Sequence, residues 1–166
     1  MEKNILEKLE KSHSLADIFE LVKDCVDSLY KKHRRGLMLG LADLGGGANA
    51  WIGGYHIISS NAIIMNSRPL DYVKKHHPEL HKPYVFVILT HEYIHTLGVL
   101  DEKTCRELTY KLCHSLLKDE ITTAMAKDMS KFLPKIQQAS FGWQPSQDPH
   151  IYYVRDFDRS SVTYVI

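Results

Sequence analysis

The stretch of residues 83–98 reads PYVFVILTHEYIHTLG, and it decides how the rest of the chain must be arranged. Pro83 suits the first position of a helix and Gly98 suits its end, so the sequence predicts one helix over residues 83–97. Apolar residues fill positions 85–89 and return at Ile94 and Leu97, which indicates that this helix is buried. Two histidines and a glutamate inside a buried helix are costly unless some partner compensates them.

These three polar residues have the spacing of a metal-dependent hydrolytic site. His91 and His95 lie four residues apart, so both imidazoles can reach one ion from the same helix face. Glu92 is offset by one position, so it can accept a proton from a metal-activated water without binding the metal. The pattern therefore predicts a zinc site with His91 and His95 as ligands and Glu92 as the catalytic base. Since the chain has ten histidines, a chance pair of hydrogen-bonded core histidines is the structural alternative.

The spacing leaves the third ligand open among three acidic residues. Asp101 lies just past the glycine turn, but it also suits the N-cap of a following helix. Glu107 would face the site across a tight helical hairpin, or it could pair with a neighbouring lysine in solvent. Glu120 opens a later helix, where a negative charge also favours the helix N-terminus.

The remaining segments predict helices around a glycine-punctuated sheet. Ser14 suits the N-cap of an amphipathic helix that ends in the basic run 31–35 and Gly36. Short apolar segments at 37–41, 50–52, 55–58, 62–65 and 151–154 predict strands. Further helices are predicted over 69–76, 101–117 and 120–133. Because no βαβ spacing occurs, the sequence predicts an α+β fold with a small mixed or antiparallel sheet on the helix of residues 83–97.

Length and composition indicate a single globular domain over residues 1–166. Apolar residues make up 44% of the chain and charged residues 25%, which is typical of folded proteins. With 21 basic against 20 acidic residues, no large field would attract nucleic acid or an anionic membrane. Three cysteines do not indicate a disulfide framework. Neither a signal peptide nor a membrane span is expected, so the predicted location is the cytoplasm, and the oligomeric state is left open.

Two segments resemble the catalytic core of gluzincin-type metallopeptidases. They are NAWIGG at residues 49–54 and LTHEYIH at residues 89–95, and the layout is closest to the minigluzincins and the catalytic domains of integral-membrane zinc proteases. The resemblance implies a zincin-like half-domain, in which a twisted sheet lies above the active-site helix, and a bound zinc ion. It places the third ligand on a later helix, which favours Glu120 over Asp101 and Glu107. It also implies a substrate-pairing strand at Asn49-Ala50 or at the second copy, Asn61-Ala62.

The expected function is therefore that of a zinc metallopeptidase acting on a peptide or protein substrate. Glu92 would act as base and then as acid to the leaving amine, and a strand edge would hold the substrate. The oxyanion stabiliser is left open among five residues: Tyr93, His114, Tyr152, Tyr153 and Arg155. The tail, residues 138–166, would either cover the cleft and keep the enzyme latent or complete the sheet. The alternative is a catalytically silent zinc-binding module that binds a partner peptide along a strand edge.

Overall fold

Helices and a small sheet share the part of the chain that this computed structural model describes, residues 4–45, 53–57, 60–131 and 150–159. The helices are α1 (Ile5–Glu10), α2 (Leu15–Tyr30), α3 (Ser67–His76), α4 (Pro78–Thr96), α5 (Glu102–Leu112) and α6 (Glu120–Lys127). A π-helical turn, Cys113–Leu117, follows α5, and a 3-10 turn, Met129–Lys131, follows α6. The strands are β1 (Met38–Ala42), β2 (Gly54–His56), β3 (Ala62–Asn66) and β4 (Tyr152–Tyr153). The predicted α+β class is confirmed.

The sheet is mixed, with the strand order β2-β3-β1-β4. Strand β1 runs parallel to β3, whereas β2 pairs antiparallel with β3 and β4 pairs antiparallel with β1. On the side of β3, the Gly53 carbonyl accepts a hydrogen bond from the Asn66 backbone N–H, and the Ile57 backbone N–H donates to the Ala62 carbonyl. Since bonding alternates along an antiparallel strand, Gly54 and His56 direct their backbone groups away from β3. Strand β2 is thus an edge that no other described strand covers.

Helix α4 lies at the centre of the domain. It contacts α2, α3, α5, α6 and β2, and its buried side chains include Tyr84, Phe86, Leu89 and Tyr93. A helix packed on so many sides must be apolar around its circumference, which explains its long apolar run. None of the described helices combines the length and the hydropathy that a membrane span requires.

Several predicted helix boundaries are wrong. Helix α6 ends at Lys127 instead of residue 133, because the backbone of Asp128 is extended. Helix α4 begins at Pro78 instead of Pro83, because Pro78 takes the first helical position and Pro83 is tolerated inside the helix. Helix α2 is capped by Ser14 as predicted, but it ends at Tyr30, with Lys31 in the left-handed region, well before Gly36. The segment after Tyr30 is not helical, and Arg34 within it forms hydrogen bonds to α4. Its backbone N–H donates to the Tyr93 hydroxyl at 2.8 Å, and its guanidinium donates to the Thr96 carbonyl at 3.0 Å.

The described part of the tail, residues 150–159, completes the sheet at the edge opposite β2. Strand β4 pairs with β1, and the buried ring of Phe157 stacks on Phe19 at 4.1 Å between centroids. Asp158 accepts from Lys23 Nζ at 2.6 Å and from the Leu37 backbone N–H at 3.1 Å. This segment is therefore part of the core. Residues 138–149 and 160–166 lie outside the described residues, so latency stays a prediction.

Candidate metal centre

A tight hairpin between α4 and α5 brings the candidate residues together. Gly98 has φ +102°, a conformation that side chains disfavour, and it reverses the chain directly after α4. Asp101 then caps α5 by accepting from the Thr104 backbone N–H at 2.8 Å. Because Asp101 is the cap, Glu102 becomes the first residue of α5, beside the end of α4 that carries the histidines.

Potential ligand atoms of three side chains converge at this hairpin. The Nε2 atoms of His91 and His95 lie 3.1 Å apart. The Glu102 carboxylate spans both rings, with Oε2 3.0 Å from His91 Nε2 and Oε1 2.9 Å from His95 Nε2. The two histidines and the glutamate thus form a compact triangle of nitrogen and oxygen atoms.

A hydrogen bond to Val99 determines the tautomer of His95, and so determines which ring nitrogen can bind a metal. Its Nδ1 lies 2.6 Å from the Val99 carbonyl oxygen, and since a carbonyl only accepts, Nδ1 carries the proton. In the neutral ring Nε2 then has a lone pair, directed at an anionic carboxylate. Burial lowers the pKa of His91, with opposing attraction from Glu102, which favours the neutral form of this ring. If His91 Nε2 carries a proton, it can donate to Glu102 or to His95 but not to both. The remaining lone pairs then face one another, an arrangement that a cation between them would stabilise.

The triangle fits a zinc ion. Ligands at about 2.0–2.1 Å in tetrahedral geometry lie about 3.3 Å from one another, close to the observed spacings. Two imidazole nitrogens and one carboxylate are a common ligand set of catalytic zinc, which keeps a fourth position open. The Val99 carbonyl supplies the outer hydrogen bond that typically orients a zinc-binding histidine.

Cys105 is a second candidate ligand near the same histidines. Ligand atoms of His91, His95 and Cys105 all lie within 4.8 Å of one another. However, the Cys105 thiol donates to the His91 backbone carbonyl at 3.0 Å, and burial raises its pKa well above the usual range. As a protonated, hydrogen-bonded thiol, Cys105 is a poorer ligand than the ionised Glu102.

Glu92 lies beside the triangle with its carboxyl group buried. Burial, followed by the negative charge of Glu102, raises the pKa of Glu92 to about 8. Gly54 of β2 passes close to it, because a Cβ at this glycine would lie 3.6 Å from Glu92 Cγ. The same Cβ would approach the Ile64 backbone oxygen to 2.8 Å, so residue 54 has no room for a side chain.

A cleft opens on both sides of this cluster. The larger half, about 380 Å³, lies between α4, α5, α6 and the start of β2, and the smaller half, about 170 Å³, lies toward the α4–α5 turn. Both halves share Gly54, Glu92 and Glu102. The larger half is further lined by Gly53, Val87, Ile88, His91, Arg106, Thr109, Met125, Ala126 and Met129. The smaller half is further lined by Tyr55, His56, His95 and Leu100.

The structure brings Glu102 to the histidines, whereas the three acidic residues proposed from the sequence lie elsewhere. Glu120 is exposed at the first position of α6 and is not among the residues that line the cleft. Asp101 is occupied by its capping bonds to Thr104, and Glu107 is exposed outside the cleft. The N-cap prediction for Asp101 could have indicated Glu102, because the residue after an N-cap is the first residue of the helix and here lies beside the end of α4.

The side chains considered for oxyanion stabilisation also lie outside the cleft. The Tyr93 hydroxyl is hydrogen-bonded to the Arg34 backbone, and Tyr152 and Tyr153 belong to β4 at the far edge. His114 stacks against Tyr110, and Arg155 follows β4. Among the cleft-lining side chains, His56 and Arg106 carry donor groups that the sequence analysis did not consider.

The two asparagine–alanine segments have different positions. Asn61-Ala62 leads into β3, which lies between β2 and β1 and is therefore not an edge. The first copy, at residues 49–50, lies outside the described residues. Strands β2 and β4 are the outermost described strands, and of these two only β2 borders the cleft.

Comparison with known proteins adds no family to these observations: no protein-family model, curated protein or solved structure matches this chain. The fold and the cleft therefore define the class by themselves. It is an α+β domain whose central helix and following turn hold a histidine–histidine–glutamate cluster that fits a metal ion.

Proposed function

We propose that this chain is a zinc-dependent peptidase in which His91, His95 and Glu102 bind the metal and Glu92 is the general base. The observation that carries the proposal is the triangle of three side chains next to a buried carboxyl group: the two Nε2 atoms lie 3.1 Å apart, and each lies 2.9 or 3.0 Å from one Glu102 oxygen. The gluzincin resemblance agrees with this activity and stays a prediction. In the proposed site, Glu102 takes the role that the resemblance gave to Glu120.

The side chains of the cleft have distinct tasks in the proposed reaction. When bound, zinc would supply Lewis-acid activation of the scissile carbonyl and of a water molecule. Glu92 accepts the proton from that water and donates it to the leaving amine. Burial raises the pKa of Glu92, and the charge of a bound zinc ion would lower it again, so that the carboxylate can accept a proton and later release it. The Val99 carbonyl keeps His95 in the tautomer that binds metal.

The open edge of β2 offers a binding surface for the peptide backbone. Gly54 and His56 direct their N–H and C=O groups away from β3, and both residues line the cleft. An extended peptide can add to such an edge as a further strand. Since Gly54 is packed against Glu92, a peptide on this edge would place a backbone carbonyl close to the metal ligands.

Cys105 is the observation that favours a second candidate function, a catalytically silent zinc module. If the thiol ionised, then His91, His95, Cys105 and Glu102 would fill all four zinc positions, as in structural sites. Cobalt substitution separates the two sites, because thiolate ligation gives an intense near-ultraviolet charge-transfer band. The peptidase proposal predicts a cobalt spectrum without that band.

The proposal is tested by metal content and cleavage together. We expect one zinc per purified chain and cleavage of members of a broad peptide library, lost with a chelator and restored by zinc. Zinc at this ratio without chelator-sensitive cleavage would favour the silent module. A chain without zinc, whose thermal stability does not change when zinc is added, would instead favour a protonated His95 that donates to Val99 and Glu102.

A further inference from the structure

We infer that Arg106 anchors a carboxylate of the substrate, so that the cleft selects peptides with a carboxylate next to an apolar residue. This inference rests on the proposed peptidase function and names its substrate class. It comes from the larger half of the cleft, whose lining includes Arg106 together with several apolar side chains.

The position of Arg106 follows from the helix that carries Glu102. The two residues lie one turn apart on the same face of α5, about 6 Å along the helix axis. Arg106 lines the larger half of the cleft together with His91 and Glu92. None of the described carboxylates forms an ion pair with Arg106, so its guanidinium is open to an anion from solution. A guanidinium matches a carboxylate well, because it can donate two parallel hydrogen bonds.

The rest of this half-cleft is suited to an apolar side chain. Val87 and Ile88 of α4 line it, together with Met125 of α6 and Met129 of the turn after α6. Methionine side chains adapt to ligands of different shape, and a volume of about 380 Å³ is within the usual range of ligand pockets. Away from His91, Glu92 and Glu102, this half of the cleft combines the Arg106 guanidinium with apolar side chains, which suits an anionic group attached to an apolar one.

The Glu92 side chain leans toward the larger half of the cleft, so the leaving group of the substrate would lie in that half. Helical side chains lean toward the helix N-terminus, so Glu92 leans toward Ile88, one turn earlier, which lines only the larger half. The amine that Glu92 protonates would be released there. Each peptide residue spans about 3.5 Å, so a carboxylate one or two residues past the scissile bond lies about 4–7 Å away. This distance is comparable with the offset of Arg106 from Glu102.

The carboxylate has two chemical sources, and short peptides distinguish them without any turnover. The probes are leucyl-phenylalanine, its C-terminal amide, and aspartyl-phenylalanine amide. Binding to the full chain is measured by calorimetry, as purified and again after dialysis against a chelator. We expect the free acid to bind at least about tenfold more tightly than the amide, with or without metal. Tight binding of the aspartyl amide instead would assign the carboxylate to an acidic side chain and would also support the inference.

Variants of α5 show whether Arg106 is responsible. Arg106→Gln should abolish the preference for a carboxylate, and Arg106→Lys should restore only part of it. Lys111→Gln is the matched control, because Lys111 is exposed on the same helix outside the cleft. Equal affinity for acid and amide, no binding of either acid, or a preference that survives in Arg106→Gln would overturn the inference. A preference that disappears on dialysis would also overturn it, because the metal would then be the anchor. Since no cleavage is measured, the result is independent of whether the chain hydrolyses peptides.

Discussion

The two edges of the sheet each lie near a buried carboxylate, and the surroundings of these two groups differ. On the β4 side of the sheet, called the closed edge because β4 covers the edge of β1, Asp158 is 4% exposed and accepts from both Lys23 Nζ and the Leu37 backbone N–H. Beside the open edge, Glu92 is 6% exposed, and none of the described residues donates a hydrogen bond to it. Burying a carboxylate is costly unless its charge is compensated. Asp158 has the partners of a structural group, whereas the environment of Glu92 is the one expected of the proposed general base.

The same contrast extends to the secondary structure around the two groups. Strand β4 and Phe157 close one edge with main-chain pairing and ring stacking. Strand β2 leaves its edge open beside the converging ligand atoms of three side chains. Changes at the closed edge should therefore affect stability, and changes at the open edge should affect metal binding and catalysis.

The largest effect is expected for Glu92→Gln. This change keeps the size of the side chain but removes the proton acceptor, so cleavage should fall by about 10²–10⁴-fold while zinc remains bound. Steady-state kinetics and metal analysis of the purified variant measure both quantities. Glu107→Gln, outside the cleft, serves as the control and should be fully active. An active Glu92→Gln variant would assign the base to another residue.

At the closed edge, Phe157→Ala should lower the free energy of unfolding by about 3–5 kcal/mol, because it removes a buried ring stacked on Phe19. Denaturant titration followed by circular dichroism measures this loss. Tyr152→Ala is a suitable control, since Tyr152 is 67% exposed and should change stability by less than about 0.5 kcal/mol. Zinc affinity of the folded Phe157→Ala variant should match that of the wild type. A selective loss of zinc would contradict the division between the two edges.

Glu102→Gln and Glu120→Gln separate the ligand proposed from the structure from the one favoured by the resemblance. We expect Glu102→Gln to weaken zinc binding by more than about 100-fold, which exceeds the usual effect of an outer-shell change. Glu120→Gln should bind zinc normally, because Glu120 is exposed outside the cleft. Competition with a chromophoric chelator gives both affinities, and the opposite order would restore Glu120 as the ligand.

The parts of the fold that could be predicted from the sequence are those encoded by local signals. Ser14 caps α2 by accepting from the Asp17 backbone N–H, and Asp101 caps α5, both as expected. The apolar run before His91 correctly indicated a buried helix. These features depend on residues within a turn or two of each other, so the amino-acid pattern is sufficient to find them.

The parts that were missed depend on contacts between distant segments. The parallel pairing of β1 with β3 has no local signal, because β2 intervenes in the sequence but lies at the sheet edge. Glu102 was missed because its role depends on how far Gly98 and Val99 reverse the chain. Because of the length of this turn, the side chain beside the histidines is that of Glu102 and not that of Asp101. Sequence spacing alone cannot resolve a shift of this size.

The smallest effect, and the sharpest test of the turn, is expected for Gly98→Ala. Its φ of +102° is unfavourable for alanine, and nothing lies within 4 Å of the added Cβ, so the cost is conformational, about 1–2 kcal/mol. Gly36→Ala is a matched control, since φ there is +75° and the Cβ is equally free. Both variants should lose similar stability in thermal unfolding. Only Gly98→Ala should weaken zinc binding, by about tenfold, because the turn holds the Val99 carbonyl against His95. Equal zinc affinities in the two variants would show that the turn does not position the ligands.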